Sequence, residues 1–259
     1  MENLNVPVSG ISLRIAAPGT SKEEFTRRAN AFADATLALP AAMGVISKID
    51  LYFPNDLFRD VVESMQLGIP PVCVLIRYEF SSDEARLKLL GIPEFNRLSA
   101  EFDPQGTNTA FPVDITTYVD QPGLLGSGKK MTGVSIMNIP TTSNNLAGLA
   151  QPAGAFYEKL NPTIAEFLAI PDVQRGLAKY TVMQMSQIHQ LPPPAMLESR
   201  RNNVLARNQS TIIVITEAAD FTEIAQSPAV LGIAKKFRET ITGLESMVFA
   251  ADVTTKTAL

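Results

Sequence analysis

The sequence predicts a mixed α+β fold: a layered sheet with helices, a long-tipped β-hairpin in the middle, and a mostly helical C-terminal part that returns one strand to the sheet. Three observations lead there. Val72–Ile76 is an unbroken, largely β-branched apolar run between Pro70-Pro71 and Ser81-Ser82, as suits a strand covered on both faces. Thr211-Ile-Ile-Val-Ile-Thr216 is a second run of the same kind, expected in the same sheet. Between residues 10 and 92, strand-like and helix-like stretches take turns, the pattern of a sheet with helices laid on it.

In chain order, Ile11-Ser-Leu-Arg-Ile15 alternates as a half-buried strand does. Ser21 and Glu24 have the capping-box spacing, and Phe25, Ala29, Phe32 and Ala33 form the inward stripe of a helix that must end near Pro40. Ile49-Asp-Leu-Tyr-Phe53 is a strand, and Pro54-Asn55 opens a helix with Leu57, Phe58, Val61, Val62 and Met65 on one side. Ser81 and Glu84 open another short helix, ended by Gly91.

From Pro93 to Gln151 the chain turns to Pro, Gly, Thr and Asn. Val113–Val119 and Val134–Ile136 alternate around a Gly-rich tip at 121–131, which predicts the hairpin. Asn161-Pro162 reads as an N-cap with Pro at the first helical position. Val173, Leu177, Tyr180, Gln184 and Ile188 fall at helical spacing, interrupted by Pro192-Pro193-Pro194. Helices are expected from Ala195 to about Asn208, over Phe221–Gln226 and over Val230–Thr242, with a frayed tail after Val253. One domain, 1–259, is expected, with sub-regions 10–92, 93–151 and 152–259; no internal repeat is apparent.

Composition excludes some functions. Of 259 residues 46% are hydrophobic and 19% charged, so the apolar excess must enter a large core or be covered by other subunits. A net charge of −4 argues against a nucleic-acid partner. The lone Cys73 allows no intrachain disulfide. The sequence has no secretion signal and no run of about 18 apolar residues to span a membrane. A cytoplasmic protein, or one assembled into a particle, is expected.

Four constellations could carry chemistry. Gly123-Leu-Leu-Gly-Ser-Gly128-Lys129-Lys130 fits the phosphate-loop pattern except at Lys130, where a hydroxyl is needed for Mg²⁺, and strand-like sequence follows it. Ser127 and Lys130 have the S-x-x-K spacing but lie among glycines. His189, the single histidine, has no nucleophile near it in sequence. Arg201 sits on the apolar stripe of Leu197, Val204 and Leu205, flanked by Arg200 and Arg207, and must meet a carboxylate, another subunit or an anionic ligand. Lys129, Lys130, Arg200, Arg201 and Arg207 are therefore the interaction candidates. No catalytic, cofactor or metal residue is assigned.

The sequence reading favours a structural or assembly protein, a repeated subunit of a larger complex such as a virion, tail or secretion machine, with homo-oligomer contacts through the hairpin. An α/β enzyme using the Gly123–Lys130 loop as an anion site for a small phosphorylated substrate is the alternative. The balance is against catalysis.

Overall fold

The computed structural model describes residues 6–64, 68–126, 130–138, 153–186, 211–240 and 245–258. In order, the elements are β1 (Val8–Ile15), α1 (Lys22–Leu37), β2 (Ile46–Asn55), α2 (Arg59–Ser64), β3 (Cys73–Phe80), α3 (Asp83–Leu90), α4 (Pro93–Phe102), β4 (Thr107–Asp120), β5 (Met131–Asn138), α5 (Ala153–Leu168), α6 (Pro171–Gly176), β6 (Leu177–Met185), β7 (Thr211–Ala218), α7 (Thr222–Gln226), α8 (Pro228–Thr240) and β8 (Glu245–Thr257). Short 3₁₀ turns lie at Pro40–Ala42, Asp56–Phe58 and Pro122–Leu125.

The strands close into an antiparallel barrel in the order β1-β3-β2-β8-β5-β7-β6-β4, with β4 returning to β1. That order is one motif written twice. The first half runs β4-β1-β3-β2 and the second β8-β5-β7-β6, each a ferredoxin-like β-α-β-β-α-β unit.

Registers make the repeat visible in the residues. Val-Ser-Gly10-Ile-Ser12-Leu in β1 matches Met-Thr-Gly133-Val-Ser135-Ile in β5. Phe111-Pro-Val-Asp114-Ile-Thr-Thr117 matches Phe249-Ala-Ala-Asp252-Val-Thr-Thr255. Leu-Ala-Leu39-Pro40 matches Leu-Ala-Ile170-Pro171, each leading into a short helical segment, a 3₁₀ turn in the first half and α6 in the second. β2 and β6 carry the same irregularity, between Ile46 and Lys48 and between Leu177 and Lys179. Even a cross-strand bond repeats: Thr255 donates to Asp50 at 2.6 Å, and matched Thr117 and Thr181 share a hydrogen bond at 3.3 Å.

Alternation along each strand sorts side chains into three cores. Ile11, Leu75, Val134, Ile213 and Phe249 point into the barrel. On the outer face of the first half, Leu51, Val74 and Ile76 pack under α1 and α4 with Phe25, Phe32 and Phe102. On the second, Val182, Ile212 and Val214 pack under α5 and α8. These cores absorb much of the apolar excess.

Asp50, buried within the barrel, lies 2.9 Å from Lys48 and 3.9 Å from Arg77. Arg77 also reaches Glu79 at 2.9 Å and Lys48 reaches it at 3.6 Å, so both cations keep a carboxylate when Asp50 is removed. Asp50→Ala should therefore cost about 2 kcal/mol by urea unfolding, below the ~3–5 kcal/mol of a pair broken to leave a bare buried charge.

Several expectations are corrected. The layered sheet is a closed barrel, with helices on its outside in both halves. The middle hairpin does not form: β4 pairs with β1 and β6, and β5 with β7 and β8. The C-terminal part is not mostly helical, since Leu177–Met185 is strand and the supposedly frayed tail is β8, paired on both sides. Pro162 lies inside α5 rather than at its start. The runs at 72–76 and 211–216 are indeed in one sheet, as parts of β3 and β7.

Candidate functional site

Each half holds a cavity between the outer sheet face and its helices, and the two cavities occupy matched places. The first is lined by Gly10, Ser12, Arg14, Tyr78, Phe95 and Ser99, among others. Their counterparts Gly133, Ser135, Met137, Thr216, Ile233 and Phe237 line the second. The volumes differ: about 50 Å³ in the first and about 270 Å³ in the second.

Specific exchanges account for the difference. In the first half Tyr78 and Phe80 stack with centroids 5.7 Å apart on the strand surface, and a Phe80 ring carbon lies 3.0 Å from where a Cβ on Gly10 would stand. The matched residues are Thr216 and Ala218, so that floor is bare. Arg14 fills the rest of the first pocket: its guanidinium carbon is 4.6 Å from the Phe32 centroid and 4.7 Å from that of Phe102, and it donates to the Ser99 carbonyl and hydroxyl at 2.9 and 2.7 Å. Met137 stands in its place in the second half.

Aromatic bulk in the second cavity has moved to its walls. Phe167 comes from α5, Phe237 from α8 and Tyr180 from β6, with Phe167 and Tyr180 rings 5.5 Å apart. Phe221 lies before α7, and Phe58 reaches across from the first half to meet it edge-on at 5.1 Å. Gly133 is required here. A Cβ would stand 2.6 Å from the Thr216 hydroxyl and 3.2 Å from the Phe58 ring.

The polar residues lining this cavity are Ser135, Thr163, Thr216 and Tyr180. Burial, with a smaller contribution from Tyr118, pushes the Tyr180 phenol well above the usual range near 10. It remains a protonated donor as pH rises through that range. Among the described lining residues there is no histidine, carboxylate or lysine. The arrangement can hold a flat apolar molecule and offer hydroxyls to its oxygen atoms.

Of the interaction candidates, Lys130 alone lies among the described residues. Lys130 precedes β5 and pairs with Glu217 at 3.0 Å; the chain then enters a strand, not a helix whose N-terminus would face phosphate. Lys129, Arg200, Arg201, Arg207 and His189 lie outside the described residues. Among the described residues no group of three or more His, Cys, Asp or Glu is placed to hold a metal ion, and no helix is long and apolar enough to cross a membrane. The sequence reading missed the whole cavity. The one available signal was the pair of matched segments around Gly10 and Gly133.

Cys73 faces the barrel interior, and burial pushes its thiol up to about 12. At pH 8 it should resist a thiol-specific chromogenic disulfide in the native protein and react fully once guanidinium unfolds the chain.

No protein-family model matches the chain, and no curated protein matches its sequence. In structure it is similar to an anthrone oxidase-like protein, with a TM-score of 0.59 at 12% identity over 99% of this chain and 94% of that one. It is also similar to a proposed monooxygenase from Fusobacterium nucleatum subsp. nucleatum, with a TM-score of 0.50 at 8% identity over 98% and 96% of the two chains. At these identities the likeness shows the fold. The likeness extends along nearly the whole chain. The reading as a repeated structural subunit of a virion, tail or secretion machine is thereby overturned: its contact hairpin is absent, and the fold is that of an anthrone oxidase-like protein and a proposed monooxygenase. Residues 127–129 of the Gly123–Lys130 loop, the anion site of the alternative reading, lie outside the described residues.

Proposed function

We propose that the protein is an enzyme that oxidises a flat, polycyclic phenolic or ketonic substrate of the anthrone type in the second-half cavity. The observation that carries this reading is the cavity itself: about 270 Å³, walled by aromatic rings, and bare where its first-half counterpart is filled. That volume lies near the lower end of the range of about 300–1,000 Å³ usual for small-molecule sites. The described lining supplies no strong base, so the substrate must bring an acidic C–H, as a methylene activated by a ketone and two arene rings does. The fold likeness to an anthrone oxidase-like protein supports the reaction class.

In this reading the rings of Phe167, Phe221 and Phe237 enclose the substrate and exclude water. The Tyr180 hydroxyl donates to the substrate's oxygen, where negative charge develops as the C–H proton leaves. The overall change replaces CH₂ by C=O with O₂ giving one oxygen atom to the product and one to water; the substrate supplies all the electrons.

The test is to supply an anthrone with dissolved oxygen, then follow anthraquinone absorbance and oxygen uptake against spontaneous oxidation. Turnover well above that background, with one anthraquinone bound per chain in anaerobic titration, is expected. Tyr180→Phe should lower kcat about 10²-fold with a smaller change in KM. A rate equal to background would overturn the assignment.

A further inference from the structure

Phe58 stands between two cavities. Besides the one under α5 and α8, it lines a neighbour of about 200 Å³ whose walls include Lys22 and Phe25 of α1 and Arg59 of α2. Val248 of β8 also borders both. The half-buried Phe58 ring rests edge-on against Phe221 at 5.1 Å. Its backbone belongs to one 3₁₀ turn, Asp56–Phe58, begun by the Asn55 side chain accepting from the Leu57 N–H at 3.1 Å. Leu57 and Arg59 on either side are exposed, so a change at Phe58 alters the partition without removing either neighbour from a core.

We propose that Phe58 is the length-determining residue of the site. Its ring divides the space, and a ligand whose flat body fills the cavity under α5 and α8 extends into the neighbouring one only past it. This rests on the substrate reading above. The class of ligand it points to is a fused aromatic body with a straight extension from one edge. The extension lies against the apolar part of the neighbouring cavity, Phe25 and Val62, and its end reaches the polar rim at Lys22. A residue of the first half therefore sets what the second half accepts.

The experiment uses anthraquinones bearing straight alkyl chains from methyl to octyl, titrated anaerobically into the full chain. The parent should bind the methyl member and lose at least ten-fold in affinity as the chain lengthens. Phe58→Ala should bind the octyl member within about three-fold of the methyl, and Val248→Ala should shift the cut-off in the same direction. Phe58→Leu, which keeps more of the packing, carries the test if the alanine variant does not fold, as thermal unfolding will show. An identical cut-off in parent and folded variants, or a parent with no cut-off, overturns the partition. Failure of every anthraquinone to bind the parent overturns the substrate reading, and the partition with it.

Discussion

Thr216→Tyr combined with Ala218→Phe is expected to abolish binding in the second cavity, lowering affinity for an anthraquinone by at least 10²-fold. The pair copies the floor of the first pocket, where Tyr78 and Phe80 occupy the matched positions on β3. The tyrosine ring at 216 would enter the void of about 270 Å³, while position 218 is fully buried beside it, so an overpacking cost of about 1–3 kcal/mol is expected. Titration reads the loss, and thermal unfolding should move by only a few degrees. Retained affinity would place the ligand elsewhere.

The largest stability effect is expected at Arg14. It is buried between Phe32 and Phe102 and donates twice to Ser99, so Arg14→Ala removes packing and hydrogen bonds and leaves a hole. A loss of about 3 kcal/mol is expected, or roughly 6–12 °C in Tm for a chain of this size. Arg14→Met should cost about 1 kcal/mol or less. It installs the residue found at the matched position 137, keeps an unbranched side chain between the rings, and removes the desolvation of a buried cation. Denaturant unfolding of the two variants distinguishes these contributions. Equal losses would mean that the charge, rather than the packing, holds the first pocket together.

Much of the local structure was legible. The capping box at Ser21 and Glu24 marks α1, and the Ser21 side chain does accept from the Glu24 N–H at 3.2 Å. The apolar runs in β3 and β7 betray strands buried on both faces, one toward the barrel and one toward helices. Other strands were hidden for the same reason. Leu177, Tyr180 and Val182 face the helices while Met183 and Met185 face the barrel, so β6 shows no alternation and mimics a helical stripe. Thr254-Thr-Lys-Thr257 has too little apolar content to look like a paired strand, yet it lies along β2.

Pairing partners were harder still. β4 and β5 are strands as their alternation suggests, but their neighbours come from distant segments, and proximity in sequence wrongly suggested a hairpin. The repeat escaped notice because no single spacing relates its parts: Val8 matches Met131, Leu37 matches Leu168, and Cys73 matches Thr211. The cavity followed the repeat into obscurity. Its walls are ordinary core residues, and only comparison between the halves reveals what is missing from the floor.

Carrying both units on one chain has a further consequence. In a symmetric pair of identical subunits, any substitution is made twice, so a ring that closes one pocket closes its twin. Here Tyr78 and Phe80 fill one while Thr216 leaves the other open, an asymmetry available only to a tethered pair. One unit is thus free to serve as a rigid brace, selected for packing alone. The other can tolerate an energetically unfavourable hollow because β2 and β8 on one seam, and β4 and β6 on the other, bind it to that brace.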